Sequence, residues 1–102
     1  MIYYNIESYE YEVTMELNEL KKILKALSND ARLKIFMMLK DKKLCAYHLL
    51  DKLNVTQPTL SHHMKVLCDC GLVIAERDWK WTYYSQNKTK IKEVEYFLST
   101  LI

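Results

Sequence analysis

The stretch CAYHLLDKLNVTQPTLSHHMKVLCDCG, residues 45–71, decides how the rest of the chain is read. Ala46, Leu49, Leu50 and Leu53 recur at i, i+3, i+4 and i+7, one apolar stripe along a short helix. Asn54 follows, and asparagine is, after glycine, the residue that most readily takes the left-handed conformation that ends a helix. Thr56 then stands where its side-chain oxygen can cap a second helix. Pro58 falls in that helix's first turn, where a missing N–H costs nothing. The stretch predicts two helices joined by a tight turn.

The second helix has two faces of different chemistry. At about 100° per residue, Leu60, His63, Met64 and Leu67 gather on one side and Pro58, Ser61, His62 and Lys65 on the other. The outward side offers donors, acceptors and a cation, and none of these residues is a carboxylate. A helix that had only to be soluble would mix Glu with Lys. One that lies in a major groove is better without Glu, because phosphates line the approach. The pair therefore reads as a helix-turn-helix whose second helix meets DNA, with His63 turned towards the core.

Outward from this stretch the chain supplies support. Leu17, Leu20, Leu24 and Leu27 are spaced 3, 4, 3, an a/d seam with Ile23 beside it. Ser28 or Asn29 breaks that helix and caps the next, and residues 31–40 are apolar nearly all round, the mark of a helix buried against several neighbours. Beyond Gly71, residues 72–77 and 81–85 are β-rich runs separated by Asp78, Trp79 and Lys80, a hairpin with Arg77 and Lys80 near its tip. In residues 88–102, Ile91, Val94, Leu98 and Leu101 repeat the 3, 4, 3 spacing, with Phe97 and Ile102 adding apolar area. Helices of about a dozen residues are not stable alone. Two of them at opposite chain ends, each with surplus apolar surface, are explained by a homodimer packed through Leu17, Leu20, Leu24, Leu27, Ile91, Val94, Leu98 and Leu101. The competing reading is that they pack on their own core.

Bulk properties narrow the class. A chain of 102 residues, half of them apolar, with one Gly and one Pro, is a single folded domain rather than a disordered or collagen-like chain. Its net charge of +2 is uneven. Residues 1–14 (MIYYNIESYEYEVT) hold Glu7, Glu10 and Glu12 and no base, leaving 15 cations against ten carboxylates in the remainder. A basic body suits a polyanionic partner. Residues 1–14 read as an extension, either a strand over residues 9–13 or a tail that orders on a partner subunit, and residues 15–102 as the working domain. No base precedes Lys21, the longest apolar run is residues 35–39, and three cysteines form no disulfide framework. The expectation is a cytoplasmic protein with reduced thiols and no membrane partner.

Taken in order, the blocks LKALSNDARLKIFMMLK, LCAYHLLDKL, TQPTLSHHMKVLCDCGLV and WTYYS resemble the ArsR-type family of winged helix-turn-helix repressors across residues 17–85. The resemblance implies a mostly α (α+β) winged helix-turn-helix fold, with helices at both chain ends forming the dimer interface and one β-hairpin wing. It implies a homodimer on double-stranded, inverted-repeat operator DNA, released when an inducer changes the dimer geometry. The DNA-binding residues would be Thr56, Gln57, Thr59, Ser61, His62 and Lys65, joined by Arg77 and Lys80 of the wing. Gln suits adenine, and Lys65 suits phosphate. Where the family usually has Gly at the wing tip this chain has Trp79, which points to a wider turn or to strain.

The resemblance also implies a candidate inducer, a thiolate-bound metal or metalloid ion such as arsenite, cadmium, lead or zinc, with Cys45, Cys68 and Cys70 as candidate ligands. Cys45 stands where relatives begin a Cys-x-Cys pair, but Tyr47 occupies the second position. The last helix lacks the His and Asp that other relatives use, and lacks a cysteine for a regulatory disulfide. Cys68 and Cys70 point about 200° apart on a helix, so they share an ion only if it unwinds. No phosphate-binding loop or carboxylate pair suggests an enzyme. A metal-independent regulator and a protein-interaction module of the same fold are the alternatives.

Overall fold

The computed structural model describes residues 15–102 with their side chains and the backbone of two strands ahead of them. These are β1 (Ile2–Ile6) and β2 (Tyr9–Val13), antiparallel, with Ile2 opposite Val13 and Ile6 opposite Tyr9. Of the two readings for residues 9–13, the backbone is the strand. Ordering of the extension on a partner subunit lies outside the described residues. The chain continues as α1 (Leu17–Leu27), α2 (Asp30–Met38), β3 (Leu44–Cys45), α3 (Ala46–Lys52), α4 (Gln57–Asp69), β4 (Val73–Asp78), β5 (Trp81–Gln86) and α5 (Lys88–Ser99). The second sheet is antiparallel in the order β3-β5-β4. This is a winged helix-turn-helix, mostly helical with one hairpin.

One core holds the helices together. Met15, Leu20, Ile23 and Ala26 meet Ile35 of α2 and Leu39 just after it, Leu49 of α3, Leu60, Met64 and Leu67 of α4, Leu72, Val73, and Phe97 of α5. Each Leu or Ile so buried is worth roughly 2 kcal/mol over an exposed one. Lys90 of α5 adds a polar clasp between the chain ends: its Nζ contacts Glu19 of α1 and lies 3.4 Å from Glu93. Gly71 carries φ +85°, the left-handed step that ends α4, and a Cβ there would sit 3.0 Å from Lys90 Cε.

Several local expectations are corrected. The buried stripe of α1 is Leu20, Ile23 and Ala26, so Leu20 belongs to the protomer's own core while Leu17 and Leu24 face outward. The 3, 4, 3 spacing blurred two adjacent stripes into one seam. On α2 only Ile35 is buried within the helix, and Leu33 and Met37, one turn apart, are exposed. That helix covers the core with one face, not all round. Asn54 does not take the left-handed conformation; α3 ends because Leu53 is extended, at φ −114° and ψ 142°. The left-handed residue is instead Asp41 after α2, φ 55°, whose carboxylate pairs with Lys88 at 2.9 Å. The two-residue β3 was not foreseen, being too short for a period to register.

Candidate nucleic-acid interface

Thr56 caps α4 as its position predicts, with extended φ and ψ and its Oγ1 accepting from the Thr59 N–H at 3.4 Å. The Thr56 hydroxyl also donates to Thr59 Oγ1 at 2.9 Å. Both threonines therefore brace the start of the helix as well as facing out. Pro58 lies in the first turn, and that turn carries no acidic residue. Thr56 takes up the Thr59 N–H and Pro58 has none, so what the helix start presents is chiefly the positive end of the macrodipole with no acidic side chain against it, which favours phosphate.

Gln57, Thr59, Ser61, His62 and Lys65 are all exposed, and Leu60, His63, Met64 and Leu67 are all buried beneath them. The division between outward and core faces falls where the sequence puts it. One feature of the outward face differs. Asp69, one turn beyond Lys65, pairs with it at 2.9 Å, both side chains exposed, and this partnership raises the Lys65 pKa. The face is free of carboxylate over its first two turns, not along its whole length.

Arg32 of α2, which the sequence did not single out, organises the buried side of α4. Its Nε donates to the Ala26 carbonyl at 2.8 Å, and its Nη1 lies 3.2 Å from His63 Nδ1. A guanidinium can only donate, so Nδ1 accepts and the ring is neutral with its proton on Nε2. Burial, followed by the Arg32 charge and His62, holds the His63 pKa below the ordinary histidine value. The cap of α2 at Asn29, whose side chain accepts from the Arg32 N–H, sets this arginine in place.

The wing is a tight hairpin. Asp78 pairs with Trp81, so Trp79 and Lys80 alone make the turn. Trp79 has φ 57° while Lys80 does not share the positive φ, so the first turn residue holds the left-handed φ that favours glycine. The expectation of strain holds and that of a wider turn does not. Left-handed backbone at a residue with a Cβ costs roughly 1–2 kcal/mol. Arg77 Nε donates to the Trp79 carbonyl at 3.1 Å. Lys80 Nζ lies 5.0 Å from the Trp79 ring centre and 5.4 Å from that of Trp81. Arg77 and Lys80 are exposed, as is Trp79 at 81%.

The three thiols are not brought together. Cys45, buried at the start of α3, places Sγ 3.3 Å from His48 Nδ1, a neighbour the sequence reading passed over. Cys70 donates to the Leu67 carbonyl at 3.4 Å, and burial raises the pKa of both Cys68 and Cys70, with Asp69 adding to the effect. Among the described residues no group of three or more His, Cys, Asp or Glu side chains is placed to hold an ion. The donor set within one subunit does not fit a closed metal site. Of the candidate interface leucines, Leu17, Leu24, Leu98 and Leu101 are exposed, while Leu27, Ile91 and Val94 are half-buried against the core.

Comparison with known proteins agrees with this geometry. A family profile described as "Bacterial regulatory protein, arsR family" matches residues 29–75. The chain is 41% identical over 80 residues to the arsenical resistance operon repressor of Staphylococcus aureus, covering 78% of this chain and 77% of that protein. Among solved structures, HlyU from Vibrio cholerae N16961 is similar at TM-score 0.69 and 32% identity, over 85% of this chain and 97% of that one. An ArsR-like transcriptional regulator from Rhodococcus sp. RHA1 shares the fold at TM-score 0.75 and 24% identity, over 82% and 79% of the two chains.

Proposed function

Because the chain belongs to the bacterial ArsR family of regulatory proteins, and so is a DNA-binding transcriptional regulator, we propose that it represses as a homodimer on an inverted-repeat operator. The two copies of α4 enter successive major grooves about 34 Å apart. Gln57, Ser61 and His62 meet base edges, Thr56 and Thr59 hold the helix start against the backbone, and Lys65, Arg77 and Lys80 meet phosphate. The observation that carries this reading is the exposed, carboxylate-free start of α4, with Gln57, Thr59, Ser61 and His62 outward over a buried Leu60, His63 and Met64. Dimerisation runs through Leu17, Leu24, Leu98 and Leu101, with Leu27, Ile91 and Val94 at the margin. Residues 1–14 form the extension and residues 15–102 the DNA-binding and dimerisation domain.

Salt dependence tests it. Log affinity for a selected inverted repeat should fall with log salt by about 0.9 per phosphate contacted. A flat dependence, or equal affinity for random duplex, would instead favour a protein-docking module. No described helix is long and apolar enough to cross a membrane, and a cytoplasmic setting suits a regulator of this kind.

Release by a thiophilic ion is the second reading, supported by the likeness to an arsenical resistance operon repressor and by the proximity of Cys45 to His48. Titrating the reduced protein with arsenite, cadmium and zinc, following thiolate absorption and operator release together, tests it. Neither signal at stoichiometric ion would leave a metal-independent regulator.

A further inference from the structure

Nothing in the fold accounts for Trp79. Its indole is 81% exposed and belongs to no part of the core, yet it stands at a left-handed position where glycine would sit without strain. A strained residue persists where the surroundings or the function require it. Here the surroundings do not: the turn's other support, the Arg77 hydrogen bond, goes to the backbone carbonyl and would survive a change of side chain.

The tip has a definite chemistry. Lys80 lies near both indoles, Arg77 reaches round the turn, and Trp81 is also partly exposed, so the end of the wing is an aromatic surface rimmed by two cations and one carboxylate, Asp78. The hairpin leaves α4 through Gly71 with only Leu72 before β4, which carries the wing on the same rigid body as the recognition helix. A polyanion with a stackable, partly apolar edge matches this tip, and a nucleic-acid groove is such a surface.

We propose that Trp79 is an operator contact: its indole packs into the minor groove flanking each half-site, with Arg77 and Lys80 on the phosphates at either side. This rests on the DNA-binding reading above. The wing then contributes affinity through an aromatic wedge where a glycine tip would contribute only charge, and it favours flanks whose minor groove opens easily, such as pyrimidine–purine steps.

The chain has two tryptophans, so Trp81→Phe leaves Trp79 as the sole indole. The probe is a duplex selected from a random pool by the wild-type protein, end-labelled so that anisotropy reports binding independently of indole emission. Adding this duplex to W81F should quench Trp79 and protect it from acrylamide. W79G should fold with a raised Tm and bind about tenfold more weakly. W79N, which tolerates the same backbone, should lose affinity like W79G and so exclude a mere loosening of the wing. Trimming the flanks from the duplex should erase the difference between wild type and W79G.

Wild-type affinity in both variants, or Trp79 emission unchanged while anisotropy shows binding, overturns the assignment and leaves α4 recognition standing. Blue-shifted Trp79 emission with vesicles of phosphatidylglycerol, and none with duplex, overturns it in favour of a lipid surface. Failure of the wild-type protein to select any duplex would instead defeat the DNA-binding reading itself.

Discussion

Arg32 Nη1 lies 3.2 Å from His63 Nδ1, joining α2 to the buried face of α4. The contact needs an unprotonated ring. His63 holds its pKa below the ordinary value, because burial and the guanidinium both oppose its charge. Above pH about 6.5 neither folded nor unfolded chain holds the proton, and below it the unfolded chain takes it up first. Stability is therefore lost as pH falls from about 6.5 through the lower folded value. The urea midpoint should drop between pH 7.5 and pH 5 more in the wild type than in His63→Gln, which can still accept from Arg32. Equal drops would show that carboxylates alone set the slope.

Removing Arg32 should be costly at neutral pH, where the His63 ring is unprotonated. Arg32→Met leaves the Ala26 carbonyl and His63 Nδ1 without their donor, a loss of about 2 kcal/mol. Chemical denaturation measures it, and a change under about 0.5 kcal/mol would mean that water replaces the guanidinium.

On the proposed reading, Asp69 holds the ammonium of Lys65 that would otherwise meet phosphate. Asp69→Asn frees the ammonium, so operator affinity should rise, by no more than about fivefold given the small worth of an exposed pair. The salt slope should steepen as Lys65 turns to phosphate, and Lys65→Ala should flatten it by about 0.9. His62→Ala with Lys65→Ala should weaken binding while helix content holds. Unchanged affinity in that double variant would remove α4's outward face from the DNA contact.

The leucines of α1 separate by burial, Leu20 inside the core and Leu17 and Leu24 outside it. Leu24→Glu with Leu98→Glu should yield a folded monomer by sedimentation equilibrium, since both side chains are exposed in the protomer. Leu20→Ala should instead lower the stability of every species, by about 3 kcal/mol, because Leu20 is in the core. A dimer that survives both charges would place the two-fold axis elsewhere, with exposed Leu33 and Met37 of α2 the next surface to test.

Burial keeps Cys68 and Cys70 protonated at neutral pH, and the thiolate is the reactive form. Both should react with iodoacetamide more slowly than in the urea-unfolded chain at pH 7.5, and should gain on it only in strongly alkaline buffer. Fast labelling of either at neutral pH would show that the end of α4 opens in solution.

How far the sequence reached depends on how local each signal is. The Thr56 cap, Pro58 and the alternation of Leu60, His63, Met64 and Leu67 with outward polar residues are short-range, and α4 with its two faces follows from them. The tilt of α1 was harder. Leu17, Leu20, Leu24 and Ile23 are all apolar, and only the positions of α2, α4 and α5 decide which of them is covered. Arg32 was invisible for the same reason: its partners, six and 31 residues away, meet only once three helices have packed. Asp69 could have been found, because a carboxylate four residues after Lys65 lies on the same helical face by spacing alone. His48, three residues from Cys45, was equally within reach.

Lys90 ties three parts of the molecule together at one side chain. Its ammonium is gripped by Glu19 near the beginning of the domain and by Glu93 near its end, while its aliphatic stem fills the space left by the missing side chain of Gly71. The pivot from which the wing departs thus rests against the strut that couples the first and last helices. A change in how the first and last helices pack would be felt at this lysine, on whose stem the pivot rests.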